Sequence, residues 1–217
     1  RHPLRYRREM KQLWKEDYDI VHCHMPYILN TVLFRQAKKH GVKVILHSHN
    51  ARPDIAGASK RRFFSWLHKR CYRRACRYGD AFAACSEAAA DWLFGDAVPR
   101  EKVQYFHNAI DTEKFTFDPV VRERVRRSFG AQDAFVVGHI GRFTYQKNHE
   151  FLLRAFACLR KRREEAVLWL VGAGELEEEA RRQAALLGVE DAVRFLGMRE
   201  DVPALMQGMG LFLLPSR

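Results

Sequence analysis

Short apolar, β-branched runs alternate with helix-period segments along this sequence, and that alternation points to folds built on parallel sheets. The clearest instance is Ala134-Phe-Val-Val leading into Gly138-His-Ile-Gly-Arg-Phe-Thr-Tyr-Gln-Lys-Asn-His149. The first run has the composition of a buried parallel strand. Beyond the turn, Phe151, Leu152, Ala155, Phe156 and Leu159 recur at three- and four-residue steps and predict one face of a helix. A strand, a glycine-bearing turn and a helix together gather backbone N–H groups at the helix N-terminus. Arg142 and Lys147 both stand in that turn. Arg offers a planar fork for phosphate oxygens and Lys a mobile point charge, so the pair suits a pyrophosphate. A solvated surface loop is the competing reading.

The same grammar runs through both halves. Tyr18–His24 reads as a strand, Met25-Pro26 closes it, and a helix is expected over 27–40, ended by Gly41. His22 and His24 could be two metal ligands on one strand face. No third ligand lies near them in sequence, so they are read as polar strand-end residues and no metal is expected. Val42–His47 is the next strand, with His47-Ser-His49-Asn50 at its carboxyl end. Ligands of open parallel sheets bind outside such ends, and an imidazole there can donate to a sugar hydroxyl or an oxyanion. A histidine that merely caps the strand is the alternative. Strands follow at 79–85 and 102–106, with Ser86 as the N-cap of a helix to about Phe94.

After a boundary placed near residue 112, strands are expected at 135–140, 166–171, 193–196 and 211–214. Gly172-Ala-Gly174 makes a second strand-to-helix turn, where glycines allow backbone to approach a ligand closely, although tight turns use Gly-x-Gly freely. A helix is expected over 175–187 and a short one over 202–207. The fold class is therefore α/β, two Rossmann-like doubly wound domains over residues 1–112 and 113–217 that face each other across a cleft.

Charge narrows the partners. The chain of 217 residues carries a formal net charge of +12. No acidic residue lies between Asp54 and Asp80, where Lys60, Arg61, Arg62, Lys69, Arg70, Arg73, Arg74 and Arg77 crowd one predicted helix. An apolar stripe of Phe63, Phe64, Leu67, Cys71 and Ala75, with Trp66 nearby, makes the segment over 60–78 basic and amphipathic. Such segments bind anionic membrane surfaces; a nucleic-acid patch and a core helix with a basic back are the other readings. No apolar run approaches the roughly 20 residues of a membrane span. Five scattered cysteines without C-x-x-C spacing indicate neither a disulfide framework nor a zinc site, and fit a reducing cytosol. The N-terminal Arg-His-Pro-Leu-Arg-Tyr-Arg-Arg has no apolar signal core and no initiating Met, as the middle of a gene product would.

Six separated stretches occur in the order of one family: Asp19-Ile-Val-His, Cys85-Ser-Glu87, Asn108-Ala-Ile-Asp111, Gly141-Arg-Phe-x-x-Gln-Lys147-Asn, Leu170-Val-Gly-x-Gly174 and Phe195-Leu-Gly197. Over nearly its whole length the chain resembles the retaining glycosyltransferases of family four, with the GT-B fold, and among them the bacterial exopolysaccharide and capsule type. The resemblance implies transfer of a sugar from a nucleotide-diphosphate sugar, UDP being the expected carrier, to a growing lipid-linked glycan, with retention and without a metal or other cofactor. It implies that Gly141, Arg142, Lys147, Gly172 and Gly174 line the donor, and that the backbone at Met198 and Arg199 holds the base. His49 matches the histidine facing the transferred sugar, with His47 too close to exclude and Asn50 beside them on the acceptor side. Arg142, Lys147 and His49 are thus the expected catalytic residues. The implied location is the cytoplasm, at the inner face of the membrane through the basic helix, with no role for nucleic acid. The family's first glycine-rich loop would fall before residue 1 and its pair of glutamates after Arg217, so the chain is expected to be a fragment inactive by itself. A non-hydrolysing sugar-nucleotide epimerase and a non-catalytic sugar-nucleotide binder are the alternatives.

Overall fold

The structure is a computed structural model that describes residues 8, 9, 12–51 and 57–216. Residues 1–7 of the N-terminal octapeptide, Asp54 and Arg217 lie outside the described residues. The chain divides into two compact units between Ala109 and Ile110.

The first unit is a four-stranded parallel sheet in the order β1-β2-β3-β4, with β1 Ile20–Met25, β2 Lys43–Ser48, β3 Ala81–Ala84 and β4 Val103–Tyr105. Helices α1 Val32–Lys39, α2 Ala58–Cys76 and α3 Glu87–Phe94 connect them. Val44 and Leu46 of β2 point to one side and are fully buried with Phe34, Leu93 and Phe94. Ser86 caps α3, its Oγ accepting from the Ala89 N–H at 3.2 Å, and Gly95 ends that helix at φ +50°.

Helix α1 starts later than its apolar spacing suggests. Ile28 is fully buried outside any helix, and its N–H donates to His68 Nδ1 at 3.1 Å. The other nitrogen of that ring bonds the Trp92 carbonyl at 2.8 Å. His68 is therefore a neutral strut between a loop and α3, and burial is the main reason its pKa is lowered. The first helical N–H, from Val32, is taken by Asn30 Oδ1, so the helix can begin only there.

The stripe expected on α2 holds in part. Ala75 is buried, Phe64, Leu67 and Cys71 are half-buried, and His68 and Cys76 join them in the core, whereas Phe63 is 56% and Trp66 53% exposed. Their rings stack at 6.1 Å and the Arg70 guanidinium lies 5.1 Å from the Trp66 ring centroid. Two aromatic rings thus stand in solvent among the cations of the helix.

The second unit is a parallel sheet in the order β7-β6-β5-β8, with β5 Phe135–Ile140, β6 Ala166–Val171, β7 Val193–Gly197 and β8 Leu211–Phe212. Helices α4 Pro119–Ser128, α5 His149–Arg160, α6 Glu177–Leu186 and α7 Val202–Gly208 pack around it. Strand β8 is shorter than the run 211–214: it pairs with Val137 and Gly138 only, and the Leu213 carbonyl turns aside to meet the His139 ring. On α5 the buried face is Leu152, Leu153, Phe156 and Ala157, while Phe151 is 58% exposed. At about 100° per residue, residues 152, 153, 156 and 157 share one stripe and Phe151 falls off its edge. Among the described residues no helix is long and apolar enough to cross a membrane.

Candidate functional site

Chain order across the second sheet reverses at β5. The chain runs outward through β6 to β7 and then returns to β8 on the other flank of β5. Open parallel sheets bind ligands beyond the carboxyl ends of their strands at such a reversal. The turn that follows β5, Gly141 to Asn148, stands at that point.

Three turns at this edge are tied backbone to backbone. The Gly141 N–H donates to the Val171 carbonyl at 2.9 Å, the Gly172 N–H to the Gly197 carbonyl at 2.8 Å, and the Leu176 N–H to the Phe143 carbonyl at 3.1 Å. A Cβ on Gly172, whose φ is +135°, would lie 2.2 Å from the Gly141 oxygen, and one on Gly174 would lie 2.6 Å from the Phe143 oxygen. The Gly-x-Gly is therefore required by the neighbouring turn, and what approaches these glycines is protein backbone.

Within that frame Arg142 is exposed and Lys147 half-buried. Neither takes part in an ion pair among the described residues. Asn148 has φ +55° and ψ +46°, and among the described residues it is the one non-glycine residue at positive φ. Its Nδ2 donates to the Pro215 carbonyl at 3.1 Å, which ties the turn to the segment after β8. Helix α5 starts directly after it without a side-chain cap, and a helix N-terminus favours an anion. A neighbouring cleft of 430 Å³ is lined by Thr144, Glu150, Arg154 and Glu179 among others, with Glu150 paired to Arg154 and Glu179 to Arg182.

Two histidines that the sequence reading passed over floor the turn. His139 is fully buried and His149 nearly so. Their rings meet edge to face at 4.8 Å, and His149 stacks on Phe143 at 4.1 Å. His139 Nδ1 bonds the Leu213 carbonyl at 2.8 Å, whereas His139 Nε2 and both His149 nitrogens have no hydrogen-bond partner among the described residues. Burial, then His139 and Lys147, push His149 down to about 4; burial likewise lowers His139 against the Leu213 carbonyl. Both rings are neutral near pH 7. The available signal was a histidine inside an otherwise apolar strand.

Met198 is 82% exposed, one residue past Gly197, whose φ is +65°. The Arg199 side chain is held in a two-pronged pair with Asp201 at 2.8 and 2.7 Å, which leaves the backbone of this segment and the exposed Met198 side chain open.

In the first unit β1 and β2 pair in register, His24 beside His47. His22, His24, His47 and His49 therefore gather at one place. His22 Nε2 lies 3.2 Å from His47 Nδ1, and His24 Nδ1 lies 2.7 Å from His49 Nε2. His47 and Ser48 belong to β2, so only His49 and Asn50 lie beyond the strand. His47 is buried, and burial, then His49, His24 and His22, push it down to about 4; His49 is exposed. The Cys85 thiol donates to the His49 carbonyl at 3.6 Å. The reading of His22 and His24 as plain strand-end residues rested on the lack of a third ligand, and that ground is corrected: ligand nitrogens of His22, His24 and His47 all lie within 4.8 Å of one another.

Two parallel-sheet halves, each with its polar cluster at strand carboxyl ends, define a Rossmann-like α/β protein of the GT-B type. Residues 1–114 match Glycosyltransferase Family 4, and residues 134–217 match the Glycosyl transferases group 1 family. The chain belongs to glycosyltransferase family 4. Among its relatives is EpsF of Bacillus subtilis, which carries a glycosyltransferase name and is 34% identical over 99% of this chain and 56% of its own length. EpsD of the same organism, also named for a glycosyltransferase, is 28% identical over 93% of this chain and 54% of its own length. The crystal structure of Anabaena HepE in complex with UDP-glucose superposes with a TM-score of 0.75 at 24% identity, covering 99% of this chain and 58% of that one. The chain spans about half the length of the curated relatives it matches.

Proposed function

We propose that the whole protein transfers a sugar from a nucleotide-diphosphate sugar, with UDP as carrier, to a growing lipid-linked glycan of the exopolysaccharide or capsule type. One observation carries the donor side: Arg142 and Lys147 stand without ion-pair partners among the described residues, at the reversal point of a parallel sheet, beside an uncapped helix N-terminus. Family membership and a UDP-glucose-bound structure of the same fold support the same reading.

Departure of the nucleotide builds negative charge on the β-phosphate. Arg142 and Lys147 would stabilise it as fixed cations, together with the N–H groups of α5, so the phosphate step needs no metal. Fixed charge acts best when it does not reorganise, and the glycine-packed turns hold the segment that carries it. Gly141, Gly172 and Gly174 serve as that frame, with the backbone at Met198 and Arg199 beside the base. On the acceptor side the exposed His49 is better placed than the buried His47 to meet the sugar, with Asn50 next to it. The acceptor hydroxyl would attack from the face the nucleotide leaves, with retention at the anomeric carbon. Phe63 and Trp66, exposed among the cations of α2, support docking at an anionic membrane face, and hence a place at the inner leaflet.

Calorimetric titration of the chain with UDP, GDP and ADP tests the donor site. UDP is expected to bind preferentially, and Arg142→Ala and Lys147→Ala each to weaken it by about tenfold or more, which is ~1.4 kcal/mol. A folded chain whose nucleotide binding is indifferent to both substitutions would sink the assignment.

A further inference from the structure

We propose that His22, His24 and His47 form a binding site for a divalent transition-metal ion, zinc foremost. Alternation along β1 puts His22 and His24 on one face of the sheet, with Cys23 buried on the other. Parallel pairing then sets His47 directly beside His24 on that face. Three imidazoles from two adjacent strands converge, and one nitrogen of each lies within 4.8 Å of the others.

The spacing suits a metal better than a hydrogen-bonded ladder. Zinc–nitrogen bonds of about 2.0–2.1 Å in tetrahedral geometry place ligand nitrogens roughly 3.3 Å apart. His22 Nε2 and His47 Nδ1 already stand 3.2 Å apart, so a rotation of the His24 ring is the main adjustment needed. The rings also lack the partners that fix tautomers in structural histidines such as His68, where a backbone N–H and a carbonyl take both nitrogens. Among the described residues, the side-chain hydrogen bonds of these three imidazoles go only to one another and to His49, and His47 Nε2 is buried with none. A cation taking one nitrogen from each ring would resolve that arrangement.

Donor chemistry narrows the ion. Imidazole nitrogens favour zinc, copper, nickel or iron over magnesium and calcium, which require oxygen. Three protein ligands leave a fourth position open, as in exchangeable sites. His49, whose Nε2 is 2.7 Å from His24 Nδ1, stands next to that position as a fourth ligand or an orienting neighbour. The ion would clamp the carboxyl ends of β1 and β2. It takes no part in the phosphate step assigned to the second unit, so this inference stands or falls independently of that assignment.

The test is titration of the chelator-stripped 217-residue chain with Co²⁺, followed by its visible d–d absorption and by displacement with Zn²⁺. One equivalent is expected to give an intense tetrahedral-type band that zinc abolishes. His24→Ala is expected to weaken binding at least tenfold, as is His47→Ala. His107→Ala, an exposed histidine elsewhere in the same unit, is expected to leave it unchanged. Because His47 is buried, the exposed His24 is the decisive variant, with far-UV circular dichroism confirming its fold. Absence of the band, or equal Co²⁺ affinity in wild type and His24→Ala, would overturn the proposal.

Discussion

Both polar clusters of this molecule lie at the carboxyl ends of parallel strands, yet they are built from opposite materials. Beyond β5, β6 and β7 the chain packs backbone on backbone through glycines, and the turn after β5 presents the permanent charge of Arg142 and Lys147. At the ends of β1 and β2 the backbone is ordinary strand, and four imidazole rings fill the place. The first arrangement suits a ligand whose charge never changes, such as a diphosphate. The second suits proton sharing, hydroxyl recognition or metal binding, where the group must change state. Equivalent positions in two related folds thus divide fixed electrostatics from tunable coordination.

The comparison breaks first at the glycines. Gly172→Ala forces a Cβ to within 2.2 Å of the Gly141 oxygen at a φ of +135°. Overpacking and a backbone region closed to L side chains together are expected to cost about 3 kcal/mol of stability in the second unit. Urea unfolding followed through the buried Trp169 would measure it. A loss below about 1 kcal/mol would mean that the turns are looser than their contacts imply, and that the cations are not rigidly framed.

Acid sharpens the contrast next. His149 titrates at about 4 in the fold against 6.5 unfolded, so between those values the unfolded chain binds more protons and stability falls as pH drops. Its contribution is complete above about pH 6.5 and lost through about pH 4, a span of roughly 3 kcal/mol. His149→Phe keeps the stacking on Phe143 and removes both unpartnered nitrogens. The variant is expected to flatten the pH dependence of the second unit over that window. The acid response of the first unit, where His47 also lies at about 4, should be left intact. Unchanged acid sensitivity in the second unit would show that His149 is not the group that titrates.

What could be read from the sequence was what is local. The strand–turn–helix alternation, the Ser86 cap and the cationic turn all depend on residues within a few positions of one another, and all reappear in the structure. Pairing between distant segments was not readable. His22 and His47 are 25 residues apart, and only the register of β1 on β2 makes them neighbours. The same holds for Ile28, whose N–H is taken by a histidine 40 residues away, so the local helix period over-extended α1. For Gly172 and Gly174 the sequence marked the need for a bare backbone but not its cause, since the close partner belongs to another turn. Charge on α2 was plain, but the direction of Phe63 and Trp66 was set by which face His68 and Ala75 could bury.

The smallest expected effect separates backbone strain from side-chain bonding at Asn148. Holding a non-glycine residue in the left-handed region costs about 1 kcal/mol, and the bond from its Nδ2 to the Pro215 carbonyl returns about as much. Asn148→Gly gives up the bond but releases the strain, so its stability is expected to stay within about 0.5 kcal/mol of wild type. Asn148→Ala gives up the bond and keeps the strain, and is expected to lose about 2 kcal/mol. The difference between the two variants, read from denaturant midpoints, therefore reports the backbone alone. Equal losses would place the control of the turn in the Asn148–Pro215 link. The rigid presentation of Lys147 would then depend on the segment after β8 as much as on the glycines of β6.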